Sequence, residues 1–482
     1  MSLARKAIVS TAWTSGLNYI GLAVGFVVGI YRDNFLQPAE YGVYSYGIAL
    51  VDILFIITAF SFNISIVQAP KEDDELYSTG FVLTTILIVV MLFLSGVAAY
   101  FLSLRGTVEI KVYAFLVLAA FSSLNLYAML FSAYLEKQLE YSKIAKVNFL
   151  SLLAFPLVSV WLVLEGWGAW ALVLGQGSAF TISFIGLYIV SRYPISFRWS
   201  ATRAKWFLQM GWKLLFSRGL EVLFVRYGNL VTEAMLGTAQ QGIYARSLKY
   251  WELAPQTVAP AVVTVALPTY SKLQEDNDKL AEAYSLVLFF LTRVLMPFVL
   301  VFGLIPHLFV RIIGEQWMGA VPVLRILAIG ALLSPMFENM KVLLYSRGRP
   351  GDVLKVRVYQ LAVFIPAMYF LVKYFGVSGA GLAVVIALAI GVVGTWVKAR
   401  KIISVRWRTI MLPPILAAAG SVGMYSIYAP RFLQMNVIAD FLINAIYVSA
   451  VFGIILLALE HRTLKKKYIY LRMTMRKEPG EK

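Results

Sequence analysis

In the largely apolar stretch of residues 206–270, six charged side chains stand where lipid is expected to surround the chain. They are Arg218, Glu221, Arg226, Arg246, Lys249 and Glu252. A charge at the centre of a lipid bilayer costs about 2.5–3.5 kcal/mol on insertion scales. The six groups are therefore expected to face a protein partner or a hydrated cavity rather than lipid. Together with Arg293 in the next apolar segment, they predict a net positive interior, which suits an anionic ligand.

The spacing of these charges allows two interpretations. Arg246, Lys249 and Glu252 follow one another in steps of three, so they share one face of a helix. In the first interpretation the basic groups bind a ligand, because a guanidinium offers a planar fork to phosphate oxygens and stays charged when buried. In the second, Arg218 only neutralises Glu221, three residues on. Lys249 then does the same for Glu252, and Arg246 lies at the outer interface of the membrane.

The first part of the chain offers fewer charges at membrane depth. Asp52 is the one charged group that we place clearly inside an apolar segment there. Amides such as Asn18, Asn63, Asn125 and Gln176 also lie in these segments. Two roles are open for Asp52, since it can bind a coupling cation or pair with a basic group across a cleft. The sequence thus predicts a basic second half facing a nearly uncharged first half.

The composition is that of a polytopic membrane protein. Of 482 residues, 60% are hydrophobic and 14% are charged, which is more apolar side chain than a soluble protein of this size can bury. The chain has no cysteine and two histidines, His307 and His461, so thiol chemistry is excluded and histidine chemistry has little to work with. No Gly-x-x-x-x-Gly-Lys-Ser/Thr loop is present, so direct use of ATP is not expected. No cofactor, no metal and no enzyme activity are predicted.

Apolar windows of about 20 residues, long enough to cross a bilayer as helices, recur along the chain. We find fourteen: 7–31, 42–68, 79–103, 111–135, 144–164, 169–191, 206–230, 243–270, 283–305, 320–346, 353–375, 379–400, 410–428 and 438–458. Their length favours helices over the short alternating strands of a barrel. The sequence therefore predicts an all-α polytopic membrane protein with about 14 transmembrane helices.

The distribution of Lys and Arg predicts the orientation of these helices. The termini and every second connection carry 29 of these residues, and the opposite connections carry six. Because basic residues concentrate on the cytoplasmic side, both termini are expected in the cytoplasm. This topology also accounts for the net charge of +18, so no nucleic-acid partner is predicted.

An internal repeat divides the chain. Leu36-Gln-Pro-Ala-Glu-Tyr-Gly-Val-Tyr44 matches Leu236-Gly-Thr-Ala-Gln-Gln-Gly-Ile-Tyr244, and Pro156, Gly166 and Leu172 match Pro366, Gly376 and Leu382. Six helices lie in each copy, an even number, so the copies have the same orientation. We therefore predict a six-helix lobe at 1–200, a second at 201–405, two extra helices at 406–460 and a basic cytoplasmic tail at 461–482.

These motifs, with Leu267-Pro-Thr-Tyr-Ser-Lys-Leu-Gln274 and Gly314-Glu-Gln-Trp317, resemble those of the polysaccharide (Wzx-type) flippases. That family lies in the multidrug/oligosaccharidyl-lipid/polysaccharide exporter superfamily, and the similarity extends over at least residues 1–400. The resemblance implies a V-shaped, alternating-access exporter. It also implies translocation of an undecaprenyl-pyrophosphate-linked oligosaccharide across the bacterial cytoplasmic membrane.

On this hypothesis the substrate-binding groups are Arg218, Arg226, Arg246, Lys249 and Arg293, while Asp52, Glu221 and Glu252 serve coupling or charge pairing. The partners are the lipid-linked oligosaccharide, membrane lipids and the polymerase and glycosyltransferases of the same pathway. The main alternative is a cation-coupled small-molecule exporter, which predicts acidic rather than basic groups in the cavity. A membrane polymerase or ligase would need a large outer loop, and a passive scaffold would not explain charges at depth.

Overall fold

A computed structural model describes the backbone of residues 3–59, 62–69, 73–428 and 436–476. Within these ranges the chain is helical and contains no strand. The helices are α1 (Leu3–Asp33), α2 (Pro38–Ala59), α3 (Phe62–Gln68), α4 (Asp74–Leu104), α5 (Glu109–Lys137), α6 (Tyr141–Leu164), α7 (Ala169–Ser191), α8 (Ala201–Leu236), α9 (Thr238–Trp251), α10 (Leu253–Lys272), α11 (Asn277–Leu304), α12 (Pro306–Ile313), α13 (Ala320–Ser346), α14 (Pro350–Ala399), α15 (Trp407–Tyr428) and α16 (Val437–Arg476).

The fold class predicted from the sequence is confirmed, since the protein is an all-α polytopic membrane protein. Where the structure describes them, the predicted windows lie in helices, with 42–68 divided between α2 and α3 and 243–270 divided between α9 and α10. Among the described residues ten helices are long and apolar enough to cross a membrane. The windows 353–375 and 379–400 lie in α14, which changes direction at Gly376, where φ is +57°. The count of fourteen spans stays a prediction.

Aspartate caps mark the starts of α4 and α11. The Asp73 carboxylate accepts a hydrogen bond from the Leu76 amide at 2.8 Å, and the Asp276 carboxylate accepts one from the Lys279 amide at 3.0 Å. Each bond satisfies a backbone donor that has no partner within the helix. The Lys279 side chain and amide also hold the pKa of Asp276 below its usual value. Similar caps thus start both helices.

The repeated motif lies at the start of a helix in both copies, and the two copies contact each other. A Cβ at Gly42 would overlap the Thr238 carbonyl oxygen, and a Cβ at Gly242 would overlap the Pro38 carbonyl oxygen. Because Pro38 and Thr238 begin α2 and α9, the contacts are reciprocal. Glycine at both positions therefore lets the two backbones approach closely, as small residues do between membrane helices.

The second pair of matching positions also has similar local structure. Pro156 lies inside α6 and Pro366 inside α14. Ten residues after each proline, Gly166 and Gly376 adopt φ values of +82° and +57°, a region that favours glycine. Each glycine therefore marks a break between two helical segments.

The chain divides into two compact units. The first contains Met1–Ser247, Ile313–Ala320 and Leu361–Ala383, and the second contains Leu248–Ile312, Val321–Gln360 and Val384–Lys482. The first has a core around Phe131, Tyr193 and Phe207, and the second has one around Tyr270, Tyr284 and Met340. α8 lies in the first unit, and the lobe boundary at residue 200 remains a prediction.

Candidate functional site

Two arginines and one aspartate form a buried charged cluster in the first unit. Arg32 and Asp33 end α1, and Arg246 comes from α9. The Arg246 Nε donates to Asp33 Oδ2, and Arg32 Nη2 donates to Asp33 Oδ1 at 3.3 Å. The exposed fractions of Arg32 and Asp33 are 2% and 0%. The Arg32–Asp33–Arg246 cluster therefore holds two positive charges and one negative charge away from bulk water.

The remaining contacts of the cluster leave one donor without a partner. Arg32 Nη1 donates to Ser159 Oγ at 3.1 Å, and its guanidinium carbon lies 5.1 Å from the centroid of the Phe155 ring. Arg32 Nε has no hydrogen-bond partner among the described atoms. A buried N–H of a charged group that makes no hydrogen bond is costly. A further acceptor oxygen would satisfy this donor.

Small and aromatic residues shape the space around Arg246. A Cβ at Gly29 would lie 3.3 Å from Arg246 Nη2, so glycine leaves room for the guanidinium. On the other side, its guanidinium carbon is 5.1 Å from the centroid of the Tyr41 ring. Such a cation–π contact stabilises a desolvated guanidinium. Arg246 is buried and contacts residues at the end of α1, so protein groups surround its guanidinium.

Arg226 and Asp52 form a second ion pair, between α8 and α2. Arg226 Nε donates to Asp52 Oδ2 at 2.6 Å, and Arg226 Nη2 lies 2.5 Å from the same oxygen. The exposed fractions of the Arg226 and Asp52 side chains are 28% and 30%. Of the two roles open for Asp52, pairing with a basic group is the one these contacts support.

Arg293 is bound by protein groups on several sides in the second unit. Its Nε and Nη2 donate to the two oxygens of Glu460 at 3.1 and 2.5 Å. Its Nη1 donates to the carbonyl oxygens of Phe289 and Ile410 and to Thr292 Oγ1. These contacts join α11 to α15 and α16, so they support a structural role and do not support the substrate-binding role that the sequence suggested.

The other sequence-predicted site residues are more dispersed. Lys249 and Glu221 are exposed, and Glu252 accepts a hydrogen bond from Gln256 at 3.1 Å. The side chain of Arg218 lies outside the described residues, so its predicted role stays a prediction. Among the predicted basic groups whose side chains the structure describes, only Arg246 belongs to the Arg32–Asp33–Arg246 cluster.

The sequence singled out Asp52 as the charged group inside the first half, and the structure places two more buried charges there. Arg32 and Asp33 belong to the first half and are among its most buried polar groups. A further pair joins Lys111 of α5 to Glu233 of α8, which also accepts from Thr238 Oγ1 at 3.2 Å. Arg32 and Lys111 stand at the ends of apolar windows, where the sequence pattern indicates connections. The sequence signal that could have identified Arg32 and Asp33 is a base next to an acid just before the repeated motif at Leu36.

The fold is similar to solved membrane transporters. A lipid II flippase, MurJ, in an inward closed conformation matches with a TM-score of 0.75 at 13% identity, over 94% of this chain and 99% of that one. An inward-facing multidrug resistance MATE family transporter of the MOP superfamily matches with a TM-score of 0.60 at 16% identity, over 82% and 98%. The class is therefore a polytopic helical membrane protein with a fold like that of MOP superfamily transporters.

Proteins of similar sequence identify the family within this class. The lipopolysaccharide biosynthesis protein WzxC of Escherichia coli is 22% identical over 446 residues, 90% of this chain and 87% of the relative. The succinoglycan biosynthesis transport protein ExoT of Rhizobium meliloti is 24% identical over 335 residues, 68% and 66%. A family model described as polysaccharide biosynthesis protein matches residues 34–322, and the chain belongs to this family.

Proposed function

We propose that the protein is a flippase that moves an undecaprenyl-pyrophosphate-linked oligosaccharide repeat unit across the bacterial cytoplasmic membrane. Membership of the polysaccharide biosynthesis protein family supports a role in polysaccharide biosynthesis. WzxC and ExoT are named for lipopolysaccharide biosynthesis and succinoglycan biosynthesis transport, and both names refer to polysaccharide products. The fold likeness to the lipid II flippase MurJ is compatible with a lipid-linked cargo. Covalent chemistry has no part in this proposal.

The observation that carries the proposal is the buried excess of positive charge in the Arg32–Asp33–Arg246 cluster. A pyrophosphate entering a low-dielectric interior loses its hydration, and that loss is costly unless charged donors replace the water. The two guanidiniums offer such donors, and Arg32 Nε makes no protein hydrogen bond among the described atoms. Guanidiniums bind phosphate oxygens with defined geometry. The cluster therefore suits an anionic lipid head group better than a cationic drug.

Transport follows by alternating access in this proposal. The pyrophosphate head group and its glycan enter from the cytoplasmic side while the isoprenoid tail stays in lipid. The phosphate oxygens then share the guanidiniums with Asp33. Separation of the outer helix ends, where Gly42 and Gly242 lie against the opposing helix, releases the head group outside. Both termini lie in the cytoplasm, and the polymerase and glycosyltransferases of the pathway act on either side of this step.

Deletion of the gene in its host tests the function. We expect single lipid-linked repeat units to accumulate on the inner leaflet, because synthesis continues and translocation stops. Leaflet position is measured by the susceptibility of the glycan to an impermeant glycosidase in intact and in lysed spheroplasts. Accumulation on the outer leaflet would indicate a polymerase instead. Unchanged polymer together with greater sensitivity to cationic drugs would support the small-molecule exporter.

A further inference from the structure

The segment Gly314–Trp317 contacts the turn between α1 and α2, and these contacts all lie within the first unit. Gln316 Nε2 lies within hydrogen-bond distance of three carbonyl oxygens of that turn: those of Asp33, Asn34 and Leu36, at 3.0, 3.2 and 3.2 Å. Trp317 Nε1 donates to the Asp33 carbonyl oxygen at 3.0 Å. Two side chains from a segment 280 residues away thus converge on one turn.

The backbone of Gly314 makes room for this arrangement. Its φ of +120° is one that side-chain-bearing residues rarely adopt. A Cβ at this position would also overlap the Gln316 amide, with the Gln316 Cδ only 2.7 Å away. Trp317 completes a 3₁₀ turn by donating its amide to the Gly314 carbonyl oxygen at 3.1 Å. Glycine at 314 is therefore required for the Gln316 amide to reach the turn.

Trp317 also contacts the aromatic residue beneath Arg246. The Trp317 and Tyr41 rings meet edge to face with centroids 6.0 Å apart, and Tyr41 lies under the Arg246 guanidinium. Trp317 is completely buried, and Tyr41 is 6% exposed. A single indole therefore contacts the backbone of Asp33 and, through Tyr41, the surroundings of Arg246. Its N–H fixes the backbone that carries the carboxylate of the cluster.

We propose that Gln316 and Trp317 are positioning residues for the lipid-linked substrate. They fix the backbone of Asp33 so that its carboxylate stays between the two guanidiniums and leaves Arg32 Nε directed at a pyrophosphate oxygen. Without them the turn is free to shift, and the carboxylate then competes with the phosphate for both arginines. This inference rests on the proposed function and assigns a role to the Gly314-Glu-Gln-Trp317 motif.

The test uses the full-length protein in liposomes with a pyrophosphate-linked oligosaccharide on a polyisoprenoid carrier. Trp317→Phe removes the N–H but keeps an aromatic ring beside Tyr41, and Gln316→Leu removes the amide. We expect each change to raise the apparent KM for the carrier about tenfold, as the loss of one buried hydrogen bond allows. The maximal rate should change less. Trp167→Phe, at an exposed tryptophan, is the matched control and should leave both parameters unchanged.

A double-variant cycle separates positioning from general loss of structure. If Trp317 acts through Asp33, then Trp317→Phe should have little further effect in an Asp33→Asn background, because the carboxylate to be positioned is gone. Additive effects of the two changes would overturn the inference. So would a wild-type KM for both Trp317→Phe and Gln316→Leu.

Effects of misfolding are excluded by measuring the transport rate per molecule in the monodisperse fraction of each variant. A wild-type KM in that fraction overturns the inference even if the yield is low. An inactive wild-type protein is a different outcome, since it contradicts the proposed function and overturns the inference with it. An active wild-type protein with equally active variants contradicts the inference alone.

Discussion

Within the Arg32–Asp33–Arg246 cluster, the contribution of a single residue can be tested at Arg246. Arg246 carries a buried charge, and its removal takes away one of the two guanidiniums that pair with Asp33. We expect Arg246→Ala to reduce polymer export at least tenfold, since a buried charge pair that loses one partner costs about 3–5 kcal/mol. Export is measured as surface polysaccharide in the complemented deletion strain.

The control for this prediction lies on the same helix. Lys249 is exposed, so Lys249→Ala should leave export close to wild type. Arg246→Lys should restore export only in part, because an ammonium cannot reproduce the planar fork of a guanidinium. Equal loss from Lys249→Ala and Arg246→Ala would instead support the basic helix face that the sequence suggested.

Residue types were easier to predict than partners. Arg226 and Arg246 could be identified as buried charges because each interrupts an apolar stretch. Their partners Asp52 and Asp33 are 174 and 213 positions away along the chain. Such pairs depend on how helices pack, which local sequence does not specify. Arg32 and Asp33 were missed because the end of an apolar window looks like a connection.

At the scale of helices, the pair Arg293–Glu460 ties α16 to α11. The contact is bidentate, and the exposed fractions of the two side chains are 8% and 3%. We expect Glu460→Gln to lower stability by about 3–5 kcal/mol, because it leaves the buried guanidinium without a counter-charge. The measurement is the midpoint of thermal unfolding in detergent.

Two further variants are compared with Glu460→Gln. Arg293→Met combined with Glu460→Leu should be closer to wild type than Glu460→Gln, since apolar groups of similar volume can replace a buried pair. Glu338→Gln, in a more exposed pair with Lys341, should cost at most about 1 kcal/mol. If Glu460→Gln were as stable as Glu338→Gln, the structural role of Arg293 would be contradicted.

The close contact of α2 with α9 predicts that a larger residue at Gly242 destabilises the packing of these two helices. In Gly242→Ala the new Cβ would lie 2.9 Å from the Gly42 backbone nitrogen and closer still to the Pro38 carbonyl group. We expect a loss of about 1–3 kcal/mol from overpacking, seen as a lower unfolding midpoint and reduced export. Gly25→Ala has no atom within 4 Å of its new Cβ and should not destabilise the protein. Similar midpoints for both variants would refute the close approach.

The repeat was predictable because its glycines and prolines leave a mark on the sequence. Gly42 and Gly242 stand at equivalent places for a physical reason, as each lies against the first residue of the other helix. The break at Gly376 was likewise predictable from its match with Gly166. The grouping of α8 with the first unit was not, since the sequence repeat alone does not show which helices pack together.

For the whole molecule, the orientation in the membrane is open to a direct test. The chain contains no cysteine, so single cysteines can be labelled without background. Glu109 and Glu275 are both exposed, in a predicted outer and a predicted cytoplasmic connection. We expect an impermeant maleimide to label Glu109→Cys in intact spheroplasts and Glu275→Cys only after permeabilisation. The reverse pattern would invert the proposed topology.

The most direct test of the central claim is transport by the purified protein in liposomes. Two carriers are compared, with the same glycan and the same polyisoprenoid, joined either by pyrophosphate or by an uncharged linker. We predict rapid translocation of the pyrophosphate carrier, little movement of the uncharged one, and a large loss of this preference in Arg246→Ala. Equal transport of both carriers, or an unchanged preference in Arg246→Ala, would contradict the claim that the buried arginines receive the pyrophosphate.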